Sequence, residues 1–145
     1  MTLEITQNSH VDHGLTPEHV AFIVARFAGR DAFFLETFTL PDSLAELECG
    51  LYGPLVGDGA VDEGDVSYVV RGARKCASRV VAKPARKTRT VTVIAGPSGD
   101  RPCVLYTSYG GPAAPREPGD ATIPTWEALT EARAFWADHA LAVKL

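Results

Sequence analysis

Apolar residues recur along this chain with two periods, and the change of period divides it into elements. Val20, Ile23, Val24 and Phe27 fall at i, i+3, i+4 and i+7, which lays them on one helix face. The run begins at Thr16-Pro17-Glu18: a hydroxyl that can cap free amides, a proline suited to the first helical position, and an acid facing the positive end of the helix dipole. With Gly29 as a natural stop, a helix is predicted over about 17–28. From Ala32 to Leu40 aromatic and β-branched residues alternate with polar ones, predicting a strand closed by Pro41. Ser43 to Cys49 fits either a helical turn or the run-in to a strand through Leu51, and Tyr52-Gly53-Pro54 requires a turn.

The segment from Val56 to Asp65, rich in glycine and acid, predicts a surface loop. Its Asp58, Asp62 and Asp65 lack the alternate spacing and closing glutamate of a calcium loop. Four strands in succession follow: Val66 to Arg71, Ser78 to Ala82, Thr90 to Ala95 and Cys103 to Tyr109. The last two are joined by residues 96–102, too short for a parallel crossover, so they form a hairpin. Pro112, Pro115, Pro118 and Pro124 preclude regular structure between 110 and 124. Thr125 caps a final helix with Trp126, Leu129, Ala132, Trp136 and Ala140 along one stripe. Strands flanked by helices predict an α+β fold: one domain over 1–145, built as a single twisted antiparallel sheet of four to six strands with an N-terminal and a C-terminal helix packed on it.

Composition narrows the class. The 145 residues, 46% apolar and 22% charged, suit a globular domain rather than a disordered or collagen-like chain. No apolar stretch approaches the roughly eighteen residues a membrane span needs, and the start shows no leader pattern, so a cytoplasmic protein without a membrane partner is expected. Cys49, Cys76 and Cys103 each lie alone, which predicts reduced thiols rather than a disulfide framework or metal knuckle. Neither a P-loop nor a dinucleotide-binding fingerprint occurs, and no cofactor is expected.

The net charge of -4 hides a strong asymmetry. Residues 1–70 carry twelve acids against Arg26 and Arg30, whereas residues 71–89 hold eight bases and no acid. Arg71, Arg74, Lys75, Arg79 and Arg89, joined by Arg116 further on, are therefore the candidate phosphate or nucleic-acid contacts, since a concentrated positive surface is what phosphate binding requires. The bland alternative is a solvated face, or pairing with the acidic half of the same chain.

Three further features offer chemistry. His10 and His13 lie close together near the start, with side chains that titrate near neutrality and suit acid/base work; no metal set is predicted from them. Thr107 and Tyr109 share a strand face, and a flat hairpin register would bring Tyr109 near Arg89, where a hydroxyl could orient a phosphoryl group. Finally, the proline-stiffened loop after the last strand carries Arg116 and Glu117, well placed to present charged groups to a ligand. His10, His13, Thr107, Tyr109 and Glu117 are thus the candidate catalytic set.

Leu51-Tyr52-Gly53-Pro54, Arg71-Gly72-x-Arg74, Ser78-Arg79, Thr92-Val93-Ile94-Ala95-Gly96, Leu105-Tyr106-Thr107-x-Tyr109-Gly110-Gly111-Pro112 and Phe135-Trp136-x-x-His139-Ala140-Leu141 together resemble a family of small bacterial proteins of uncharacterised activity. At the level of layout, a helix followed by basic strands and a late Thr/Tyr strand is similar to the barnase-like and RelE-like ribonuclease toxins. That likeness implies metal-independent RNA cleavage, with His10 or His13 in acid/base work, Arg71, Arg74 or Arg79 on phosphate, and Thr107 or Tyr109 orienting. The expected partner is RNA or a phosphate-bearing small molecule. The alternative is a non-enzymatic interaction or immunity-like module whose acidic half docks a basic protein.

Overall fold

The computed structural model describes residues 3–6, 9, 14–71 and 76–143, with only the backbone of Arg71. The chain forms two compact units, residues 1–49 with 87–112 and residues 50–86 with 113–145. Each is an assembly of short local elements on one sheet. The α+β class holds, but the expected single antiparallel sheet is corrected to two sheets, each mixing antiparallel and parallel pairs.

In the first unit, helix α1 (Pro17–Arg26) precedes strand β1 (Phe34–Thr39) and the short β2 (Leu47–Cys49). The sheet is completed by β6 (Arg86–Thr88), where the chain passes between units, β7 (Thr90–Ser98) and β8 (Arg101–Gly110). The spatial order is β1-β7-β8-β2-β6. Ile23 and Phe27 pack with Phe34, Phe38, Leu47, Val91, Val93, Ala95, Cys103 and Leu105 into a buried core. Thr16 caps α1 as its position predicts, and His19 adds a partner the sequence reading did not assign. The His19 Nδ1 accepts the Thr16 N–H at 3.0 Å, so Nε2 carries the proton and donates to the Ala45 carbonyl at 2.7 Å. A buried imidazole is satisfied on both nitrogens and ties the helix to the 41–46 turn.

The β7–β8 hairpin forms, with a turn tighter than expected. The strands run to Ser98 and Arg101 around Gly99-Asp100, where Gly99 has φ 61°. Pro97 and Pro102, which fall in the 96–102 connection expected from sequence, lie within the strands and are accommodated beside the register shift at Gly96/Ser98, a further shift falling at Ile94/Ala95. The Ile94/Ala95 shift leaves Tyr106 unpaired between Leu105, opposite Ala95, and Thr107, opposite Ile94. Alternation is thereby reset, so Thr107 and Tyr109 turn away from the face that bears Leu105.

The second unit holds β3 (Leu51–Tyr52), β4 (Val66–Arg71), β5 (Cys76–Val81), helix α2 (Trp126–Trp136) and β9 (Ala140–Ala142). Strand order is β3-β9-β5-β4, with β9 parallel to β5. The expected helical stripe through Ala140 is corrected here. The helix ends at Trp136 because the His139 Nδ1–H donates to the Phe135 carbonyl at 2.6 Å, and the following residues pair as a strand. Trp126, expected in the core, is largely exposed. Cys49, Cys76 and Cys103 are buried, and burial pushes the Cys103 thiol up. The native protein should therefore be almost inert toward a thiol-reactive disulfide reagent, releasing three equivalents of reporter only in denaturant; rapid native labelling would contradict the buried assignment.

Candidate functional site

In the second unit the β4–β5 hairpin sets Tyr68 directly opposite Arg79, on one face of the sheet. The loop after β8 contributes Glu117, Pro118 and Gly119, and α2 contributes Trp136. With Ala77 these residues line a cleft of about 280 Å³. Two of the candidates chosen from sequence, Arg79 as a phosphate contact and Glu117 as an acid/base group, thus meet in one pocket.

The surrounding bonds explain its shape. Glu117 is 4% exposed, and the Ser78 hydroxyl donates to its Oε1 at 3.1 Å. Trp136 donates its indole N–H to the Pro115 carbonyl at 3.2 Å, fixing the ring against the loop. The loop is braced further on: Asp120 accepts from the Thr122 N–H at 2.8 Å, and Arg116 donates to the Thr122 carbonyl at 3.0 Å and hydroxyl at 2.6 Å. Gly119 sits where a Cβ would lie 3.2 Å from the Cys76 Cβ, a tight approach of the loop to β5 that a side chain there would meet only if Cys76 gave by a few tenths of an ångström.

Arg79 is held by three bonds. Its two terminal nitrogens donate to the Glu63 carboxylate at 2.9 and 2.6 Å, and Nε donates to the His139 carbonyl at 3.3 Å. The bidentate Glu63 contact holds the guanidinium above its ordinary pKa, against the opposing effect of burial, with Tyr68 adding in the same direction. Reciprocally, Glu63 is held below the usual carboxylate range. The sign follows: the pair supports the folded state above that range and loses its support as pH falls through the lowered Glu63 value. Glu63 lies on the solvent side and Arg79 on the protein side, with side-chain exposures of 64% and 13%. A planar, two-oxygen anion therefore already occupies Arg79 from outside, in the geometry a phosphate would use.

The remaining candidates fall elsewhere. Arg116 is engaged by Thr122 rather than aimed into the pocket. Arg89 belongs to the first unit and donates to the carbonyls of Pro41 and Leu44 at 3.1 and 2.8 Å. The expected proximity of Tyr109 to Arg89 is corrected, because the shifted register pairs Tyr109 with Thr92. Thr107 and Tyr109, both half-buried, lie on the β8 face shared with Thr92. There Thr37 donates to the Thr92 hydroxyl at 2.9 Å, and Thr92 donates to the Gly111 carbonyl at 2.8 Å. His10, His13, Arg74 and Lys75, and the side chain of Arg71, lie outside the described residues. Tyr68, Ser78 and Trp136 were not selected from sequence; only strand register and the helix end bring them together.

Much of the described positive charge is spent locally. Arg86 pairs with Asp58, Arg101 with Glu4 at 3.1 Å and Arg30 with Glu36. Among the described residues no group of three His, Cys, Asp or Glu side chains is arranged to hold a metal, and no helix is long and apolar enough to cross a membrane. Comparison with protein-family models, curated proteins and solved structures finds no match for this chain.

Proposed function

We propose that the second unit binds a phosphate ester of about nucleotide size and cleaves it by metal-independent acid/base chemistry. The observation that carries this reading is the meeting of Arg79 and Glu117 in one cleft walled by Tyr68 and Trp136. Arg79 takes two phosphate oxygens in place of Glu63, and the aromatic rings offer faces for a planar base. Glu117 accepts the proton of an attacking hydroxyl; the new O–P bond forms, the P–O bond to the leaving group breaks, and the departing oxygen takes a proton. Water is the proposed donor of that last proton. Thr107, Tyr109 and Arg89 have no role in this reading.

A mononucleotide-sized ligand is preferred to a long RNA because so many described arginines are engaged within their own unit. The proposed setting is the bacterial cytoplasm. The test is incubation of nucleoside monophosphates, 2′,3′-cyclic nucleotides and short RNA with the protein in excess chelator, alongside binding measurements. Glu117→Gln should retain binding and lose turnover by about a hundredfold or more. Glu63→Gln should tighten phosphate binding, since a neutral amide competes less well for Arg79. Absence of binding by any of these ligands at low salt would overturn the reading.

A further inference from the structure

The turn that carries Glu63 is fastened at both ends and loosely held between them. At one end the Asp58 N–H donates to the Gly53 carbonyl at 3.2 Å and its carboxylate pairs with Arg86. At the other, Val66 opens β4 opposite Val81. Between these anchors Gly59, Ala60, Asp62, Glu63, Gly64 and Asp65 are all exposed. Asp62 shapes the turn from within, its side chain accepting the Gly64 N–H at 2.9 Å and its carbonyl the Asp65 N–H at 3.0 Å. Among the described residues, the hydrogen bonds that tie 59–65 to the sheet are the two that Arg79 donates to Glu63.

We infer that this turn is an autoinhibitory latch on the pocket, closed while the Glu63 carboxylate holds both terminal nitrogens of Arg79 and opened when a ligand phosphate takes them. The inference rests on the phosphate reading of the pocket and adds its regulation. Glu63 is the outer partner, so an anion from solvent reaches that end of the guanidinium by displacing it. The Nε bond from Arg79 to the His139 carbonyl uses neither terminal nitrogen, so the arginine stays in place and the turn is what moves. A tethered carboxylate competes at high effective concentration. Chloride offers one coordinating atom for two charge-assisted bonds and leaves the latch closed; a phosphate ester offers two oxygens and adds contact with Trp136. The apparent affinity is then the intrinsic one reduced by the fraction of molecules that are open.

Glu63→Gln keeps the side chain's shape and removes its charge. By titration calorimetry it should bind a nucleoside monophosphate about tenfold more tightly than wild type, as expected if about a tenth of the wild-type molecules are open. A nitroxide on Ala60→Cys reports the turn itself, because the native cysteines are buried. Adding Glu63→Gln or Arg79→Ala to that protein should make the nitroxide mobile without ligand. With Glu63 and Arg79 both intact, saturating nucleoside monophosphate should have the same effect, and chloride at equal ionic strength should not. Ligand binding with the nitroxide unmoved, Glu63→Gln binding no more tightly than wild type, a nitroxide still immobile in Arg79→Ala, or release by chloride would each overturn the latch and leave the pocket reading standing. Absence of binding by wild type and Glu63→Gln alike would overturn the pocket reading, and the latch with it.

Discussion

Gly53→Ala is expected to destabilise the protein by about 3 kcal/mol or more, a cost combining overpacking with an unfavourable backbone. Gly53 has φ 148°, and a Cβ there would lie 2.2 Å from the Cδ2 of His139 and 2.8 Å from the Asp138 carbonyl oxygen. Neither neighbour can yield cheaply. The His139 ring stacks on Phe135 with centroids 3.8 Å apart, and its Nδ1 closes the end of α2. The same residue's carbonyl accepts the Nε–H of Arg79. A methyl group at Gly53 therefore pushes on the helix end, on β9 and on the residue that orients Arg79. Chemical denaturation should show a lower midpoint with an unchanged slope. Gly57→Ala is a useful contrast: φ is also positive, at 80°, but nothing stands within 4 Å of the added carbon, so only the backbone cost of about 1 kcal/mol is expected. Equal losses at the two positions would show that the His139 contact contributes nothing.

The second large effect is on the pocket. Arg79→Ala removes the only arginine among the described residues that line it and should lower turnover of a phosphate ester by about a hundredfold to a thousandfold, the range seen when a preorganised donor to a developing oxyanion is deleted. Arg79→Lys should recover only part of this, because an ammonium cannot bind two oxygens in the planar fork the Glu63 contact displays. Arg79→Ala also strips Glu63 of its partner. Glu63 is highly exposed, so stability should change little on that account. Loss of turnover with retained folding separates a ligand-binding role for Arg79 from a structural one. If both variants cleave as well as wild type, the phosphate assignment fails.

Local signals in the chain were read correctly where one residue type had one structural use. Thr16-Pro17 and Thr125 start helices because hydroxyl caps and a first-turn proline have little other use in such positions. Glycine and acid between 56 and 65 made a loop for the same reason. The single-sheet expectation failed at Ala140–Ala142, where three apolar residues fit a helix stripe and a strand equally well. Whether they continued α2 was decided by the His139 bond to Phe135 and by pairing with Val80 and Val81, some sixty residues away. A β-bulge at Tyr106, invisible to period-two counting, turned the Thr107 and Tyr109 side and displaced Tyr109 from Arg89. Of the candidate site, Arg79 and Glu117 were legible as charges in suggestive settings. Tyr68, Ser78 and Trp136 were not, because strand pairing and loop packing place them there rather than any spacing along the chain.

The most direct test uses Trp136 as its own reporter. Trp126→Phe removes the exposed indole, 70% accessible and outside the pocket, and leaves Trp136 as the only tryptophan. Titrating this protein with a nucleoside monophosphate, the free nucleoside and inorganic phosphate should give a saturable change in Trp136 fluorescence. The monophosphate should bind most tightly, and Arg79→Ala should abolish the advantage of the phosphate. A Trp136 signal unmoved by all three ligands, or one that responds identically in the Arg79→Ala protein, would contradict the assignment of this cleft as a phosphate-ester site.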